Sequence, residues 1–96
     1  MREIRYLEAL TEALREEMRR DSKVIVVGED VRVSMRGVTK GILDEFGPDR
    51  IFDTPISEAG FTGLATGAAM AGMRPVVEYQ INALLFVAFD QLVDQA

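Results

Sequence analysis

A continuous run of β-branched residues, 24–27, ended by Gly28, constrains the fold of this chain more than any other feature. A strand that is apolar at every position, rather than at alternate positions, is typical of a strand buried on both faces in a parallel sheet. Two further stretches, 51–52 and 75–80, are also predicted to be strands. Helical patterns are predicted before, between and after these strands, over residues 4–20, about 38–46, 58–72 and 83–96.

The alternation of helices and strands predicts right-handed crossovers and a parallel α/β sheet with helices on both faces, which is a three-layer fold. The chain has 96 residues, enough for at most one small domain. Three strands with both faces covered leave the edges of the sheet unpaired. We therefore expect the α/β domain to be incomplete, so that the chain is a fragment or one half of a larger sheet.

Composition excludes several classes of function. The net charge of −5 argues against a nucleic-acid partner, which requires a basic surface. The dense basic cluster at residues 15–20 is interleaved with glutamates and is predicted to be a solvated helix face. The chain has no cysteine or histidine, which excludes disulfides, thiolate or imidazole metal sites, and Ser-His or Cys-His nucleophiles.

Localisation follows from similar reasoning. A chain without cysteine fits a reducing compartment, and we expect a cytoplasmic protein. No apolar run approaches the roughly 20 residues of a membrane span, so we expect no membrane partner.

One carboxylate, Glu58, stands where the second predicted strand gives way to a helix rich in alanine and glycine. Ligands of open α/β sheets bind outside the carboxyl ends of the strands, so an acid at this point is a candidate working residue. A buried carboxyl group can share a proton with a ligand nitrogen, which suits acid–base chemistry near neutral pH. The alternative is an acid that interacts with the helix dipole, with Ser57 as the cap.

Two further features have a structural and a functional interpretation. Glu29-Asp30 follows the first strand. These residues are either solvated loop residues, or they supply a second acid at the carboxyl end of the sheet, where Glu58 is expected. Gly60, Gly63 and Gly67 lie within a helix and no Gly-Lys-Ser/Thr follows them, so they do not form a phosphate loop. Because glycine disfavours helix, we expect these positions to allow close approach of a neighbouring element.

The chain resembles the amino-terminal, pyrimidine-binding part of the β subunit of thiamine-diphosphate-dependent 2-oxoacid dehydrogenases. This family includes the first components of pyruvate, branched-chain and acetoin dehydrogenases. The matching stretches are residues 26–31, 37–41, 46–50, 53–61, 67–75 and 90–91. The resemblance spans nearly all of residues 1–96 but only about a third of the family's β subunit. It implies that the remainder of the pyrimidine-binding domain and the carboxyl-terminal domain are absent.

The resemblance also implies roles for individual residues. The glutamate that Glu58 matches bonds a ring nitrogen of the cofactor's aminopyrimidine and favours the tautomer that takes a proton from the thiazolium carbon. Ile56 matches a backbone contact to the same ring. The family lines the pyrimidine pocket at three positions, here Gln80, Leu84 and Val87. At the position of Glu29, the family has an acid that joins a polar passage between active sites.

Two residues depart from the pattern of the family. The family usually has Phe or Tyr where Leu84 stands, and often has Phe where Ile81 stands. Leu84 keeps an apolar wall but lacks the aromatic face that packs on the pyrimidine. Both positions belong to the predicted wall of the cofactor pocket, so we expect these two differences to change the affinity for the cofactor.

The partners implied by the resemblance lie on other polypeptides. The α subunit of a heterotetramer would hold magnesium and the diphosphate, and this chain would hold no metal. A lipoyl-bearing acyltransferase would receive the acyl group derived from a small 2-oxoacid, and the isolated chain would be inactive. Two alternatives stay open, a transketolase-like pyrimidine domain and a non-catalytic module that only associates with partner subunits.

Overall fold

A computed structural model of the chain describes residues 3–34 and 37–96 and contains a parallel three-stranded sheet. The strands are β1, Val24–Gly28, β2, Ile51–Asp53, and β3, Arg74–Glu78, and their order across the sheet is β2-β1-β3. The first strand therefore lies in the centre, as expected for the most apolar of the three. Val26 is the register partner of Ile51 on one side and of Val76 on the other.

Helices cover both faces of the sheet, which confirms the predicted three-layer α/β class. The helices are α1, Tyr6–Arg20, α2, Ile42–Phe46, and α3, Glu58–Met70. Because side chains of a strand alternate between faces, β1 contributes to two cores. One core joins Val24 and Val26 to α1 and α2, and the other joins Ile25 and Val27 to α3.

The prediction of a helix over about 38–46 was too long. The observed helix α2 begins at Ile42, and its N-cap, Gly41, has φ +79°. This left-handed conformation is incompatible with a right-handed helix, so residues 37–41 form turns instead.

The helix predicted over residues 83–96 is present, but it is not a regular α-helix. A 3-10 helix, Asn82–Ala88, and a π-helical segment, Gln91–Gln95, occupy this part of the chain. Phe86, Phe89 and Val93 are exposed, so the apolar residues do not all bury one face. Tertiary packing of one apolar face supplies most of the stability of a short helix, and here that support is incomplete.

The sequence predicts that the basic cluster of α1 is a solvated helix face. In the structure, two of its arginines also bind residues outside the helix. Arg19 makes two hydrogen bonds to the Glu45 carboxylate, 2.5 and 2.7 Å long, which join α1 to α2 and lower the pKa of Glu45. Arg15 donates from Nη2 to the carbonyl oxygen of Lys40 at 2.6 Å. The cluster therefore holds the first helix against residues 40–45. No helix within the described residues is long and apolar enough to cross a membrane.

Candidate functional site

The carboxyl ends of the three strands lie at one edge of the sheet, because all three strands are parallel. The segments that leave the strands are tied together there. The Thr54 backbone N–H donates to the Gly28 carbonyl at 3.1 Å, and Gln80 Nε2 donates to the Glu29 carbonyl at 2.7 Å. These bonds fix the relative positions of the segments at the carboxyl end of the sheet, where the sequence analysis expects the site.

Glu58 is the first residue of α3, and only 7% of its surface is exposed. It belongs to the buried stripe of this helix together with Phe61, Thr62 and Ala65. These positions are three, four and seven residues further along, which places all four on one helix face. The burial of Glu58 is therefore a consequence of helical spacing, since the stripe packs on the sheet.

The residue proposed as the cap of α3 occupies the N-cap position without capping the helix through its side chain. Ser57 is the N-cap residue, but its side chain makes no capping hydrogen bond. The Glu58 carboxylate makes no hydrogen bond or ion pair with any residue in the described ranges 3–34 and 37–96. The carboxylate of this largely buried residue is therefore available to a ligand or to water at the carboxyl end of the sheet.

Tyr79, which follows β3, contacts two residues near the beginning of α3. Its ring packs on Phe61 with centroids 5.6 Å apart, and its hydroxyl group is hydrogen-bonded to Thr62 Oγ1. Both contacts lie within about one turn of Glu58, so they restrain the helix end that carries the acid. Sequence reasoning missed Tyr79 and Thr62, although the spacing of Thr62 from Glu58 was available as a signal.

The other predicted site residues differ in exposure. Glu29, Gln80 and Leu84 are half-buried, and Glu29 and Gln80 are brought together by the hydrogen bond already described. Ile56 and Val87 are 79% and 60% exposed. The roles of all these residues toward a cofactor stay predictions.

Close packing against a neighbouring element, which the sequence analysis expects at the glycines of α3, is found at only some of them. A Cβ atom added at Gly63 would lie 3.0 Å from the Gln91 side-chain oxygen, which is a tight contact with the π-helical segment. One added at Gly67 would meet no atom within 4 Å, counting the part of the chain that the structure describes. The expected close approach therefore holds for Gly63 and not for Gly67.

The predicted site lies outside two cavities that the structure contains. One, of about 790 Å³, lies between α1 and residues 37–44, and the other, of about 470 Å³, lies between α3, β3 and residues 92–96. None of the six predicted site residues lines either cavity. The described residues contain no group of three or more His, Cys, Asp or Glu that could hold a metal ion.

Comparison with known proteins gives the family. Residues 2–96 match the model of the transketolase pyrimidine-binding domain. The chain is 52% identical over 91 residues to the β subunit of the pyruvate dehydrogenase E1 component of Rickettsia conorii, covering 93% of this chain and 28% of the relative. It is 44% identical over 97 residues to the mitochondrial subunit beta-1 of Arabidopsis thaliana, covering 99% and 27%.

The same component's β subunit in Staphylococcus epidermidis is 43% identical over 97 residues, with 99% and 30% covered. This chain thus spans less than a third of the length of each of these relatives. Both the family match and the similarity to these β subunits extend over nearly all of this chain. The chain belongs to the transketolase pyrimidine-binding domain family.

Proposed function

We propose that this chain is the amino-terminal portion of the pyrimidine-binding domain of a β subunit of a thiamine-diphosphate-dependent 2-oxoacid dehydrogenase. The full-length subunit would act in oxidative decarboxylation of a small 2-oxoacid, or in the related cleavage of acetoin, with acyl transfer to a lipoyl group. Support comes from the relatives, which carry the name of pyruvate dehydrogenase β subunits.

The observation that carries the proposal is Glu58 at the carboxyl end of the sheet, a residue only 7% exposed whose carboxylate has no partner among the described residues. A ring nitrogen of an aminopyrimidine is a suitable partner, because a proton can be shared between it and a carboxylate oxygen. Glu58 would hold that proton in a place where water is scarce and the interaction is correspondingly strong. The donor set of this chain therefore fits the cofactor.

Other residues of the chain would bind and orient the ring. Leu84, half-buried in the 3-10 helix, would give apolar cover, with Val87 beside it on the same segment. The Ile56 backbone would contact the ring from the loop before α3. Gln80 would belong to the same wall, and Glu29 would contribute to a polar passage. Thiamine diphosphate, when bound, stabilises the carbanion that decarboxylation produces.

The remaining parts would come from partners. A site for diphosphate and magnesium would be provided by an α subunit in a heterotetramer, and a lipoyl-bearing acyltransferase would accept the acyl group. The 96-residue chain alone would be inactive, because it supplies one wall of a site formed between subunits.

The test uses the full-length β subunit assembled with its α subunit. Calorimetric titration with thiamine diphosphate and magnesium should show saturable binding, and pyruvate, branched-chain 2-oxoacids and acetoin would then be compared as substrates. Assembled subunits that bind no cofactor would contradict the proposal and support a non-catalytic module. Ketol transfer between sugar phosphates, without 2-oxoacid decarboxylation, would instead support a transketolase-like enzyme.

A further inference from the structure

The chain leaves β3 through a strained turn centred on Gln80. The Ile81 backbone N–H donates to the Tyr79 carbonyl at 2.7 Å, which closes a three-residue turn, and the central residue has φ +67°. A γ-turn with positive central φ is rare and strained, and residues other than glycine seldom adopt it. Such outliers persist only when the surrounding structure holds them, and they cluster at functional sites.

Two hydrogen bonds of Gln80 hold this turn. Its backbone N–H donates to Glu78 Oε1 at 2.8 Å, and its side-chain Nε2 donates to the Glu29 carbonyl at 2.7 Å. The last registered pair of β1 and β3 is Gly28 with Glu78. The Gln80 side chain therefore continues the connection between the two strands beyond the end of their backbone ladder.

The residue that receives this bond is one of the predicted site acids. Glu29 is half-buried, and the next residue, Asp30, has φ +54°. The peptide between them carries the carbonyl that Gln80 binds, so the bond restrains the direction in which the chain turns after β1. The same restraint sets the direction from which Glu29 projects at the edge of the sheet.

We infer that Gln80 is a positioning residue, whose side-chain amide fixes the Glu29 peptide and thereby the Glu29 carboxylate. This inference rests on the proposed function, because it assigns Glu29 to the site of that reaction. It differs from a direct contact between Gln80 and the cofactor, since the effect of Gln80 would pass through Glu29.

Three variants of the full-length subunit, assembled with its α subunit, test the inference. Gln80→Met keeps the length of the side chain but loses the donor. Gln80→Gly loses the donor and also relieves the positive φ, which glycine adopts without cost. Gln95→Met is the matched control, because Gln95 is exposed and lies outside the proposed site.

The first readout is amide hydrogen exchange of the cofactor-free assembly, which does not depend on activity. Loss of a hydrogen bond of typical net strength should raise exchange of residues 29–34 by up to about tenfold in both Gln80 variants. Exchange of residues 24–27 should stay unchanged, which shows that the sheet is intact. Unchanged exchange at residues 29–34 would overturn the inference.

The second readout is a cycle with Glu29→Gln. We expect Gln80→Met and Gln80→Gly each to lower kcat by about tenfold and the double variants to be no slower than Glu29→Gln alone, because coupled residues are not additive. A wild-type kcat in Gln80→Gly would contradict the inference, because it would show that the backbone turn is sufficient and that the side-chain amide is not required. Multiplicative losses, or a weaker cofactor Kd with normal kcat, would show that Gln80 acts directly. Failure of the wild-type assembly to bind cofactor would refute the proposed function instead, and the exchange result would still stand.

Discussion

Replacing Gly28 by alanine should destabilise the edge of the sheet that carries the candidate site. Gly28 is buried at the end of β1, and an added Cβ atom would lie 2.4 Å from the Glu78 carbonyl oxygen and 2.9 Å from Val31 Cγ1. Ordinary van der Waals contact begins at 3.4 Å. The first of these neighbours is backbone of the paired strand, so it cannot move away without loss of the β1–β3 register.

The expected cost follows from this overlap. Inserting a methyl group into a well-packed region costs about 1–3 kcal/mol, and a clash with backbone belongs to the upper part of that range. Small domains are stable by roughly 5–15 kcal/mol, so the change is a substantial fraction of the total. With a typical urea dependence of about 1–3 kcal/mol per M, the unfolding midpoint should fall by roughly 1 M.

The assay is urea unfolding of the full-length subunit followed by circular dichroism, with Gly67→Ala as the control. Gly67 lies inside α3 and a Cβ atom there would meet no described atom within 4 Å. Alanine should therefore stabilise the helix by about 0.5–1 kcal/mol. The same substitution is thus expected to act in opposite directions at the two positions. A Gly28→Ala variant as stable as wild type would refute the close approach of β1 to Glu78.

Three further predictions concern the cofactor wall, the carboxyl-terminal segment and the isolated chain. Leu84→Phe should preserve or tighten cofactor binding by the assembled subunits, since an aromatic pair contributes about 0.5–1.5 kcal/mol beyond its area; clearly weaker binding in a calorimetric titration would contradict this. The hydrogen-bonded, like-charged Asp94 raises the pKa of Asp90, so stability should fall as pH rises through that pKa. Asp90→Asn should remove this dependence in urea titrations at several pH values, and an unchanged dependence would count against the pairing. The 96-residue chain should bind neither magnesium nor thiamine diphosphate appreciably and should self-associate through unpaired strand edges; a monodisperse monomer that binds the cofactor would contradict both expectations.

The sheet could be predicted from sequence because its signal is local. The β-branched run ended by Gly28 predicts a strand buried on both faces of a parallel sheet, and that strand is fully buried and occupies the centre of the observed sheet. Glu58 could be placed at the carboxyl edge by the same reasoning, since it follows the second strand by a short loop. Its burial follows from the helical spacing of Phe61 and Thr62.

The features that could not be predicted depend on tertiary contacts. The positive φ of Gln80 is not encoded by a glycine or asparagine, and it is held by a bond to Glu29, which is distant in sequence. The 3-10 and π-helical geometry of the last segment depends on which apolar side chains find cover, not on their periodicity alone. Ser57 occupies the N-cap position expected from its residue type, but its side chain makes no capping hydrogen bond, so residue type gave the position and not the bond.

The central claim is that Glu58 shares a proton with the cofactor, and Glu58→Gln in the full-length assembled enzyme tests it most directly. The amide keeps the size of the side chain but cannot relay a proton, and acid–base contributions to rate are typically 100- to 10,000-fold. Glu16→Gln, at an exposed position of α1, is the matched control. We predict that Glu58→Gln folds and assembles like wild type while losing at least 99% of turnover, and that the control keeps full activity. Retention of more than about a tenth of the wild-type rate would contradict the assignment of Glu58.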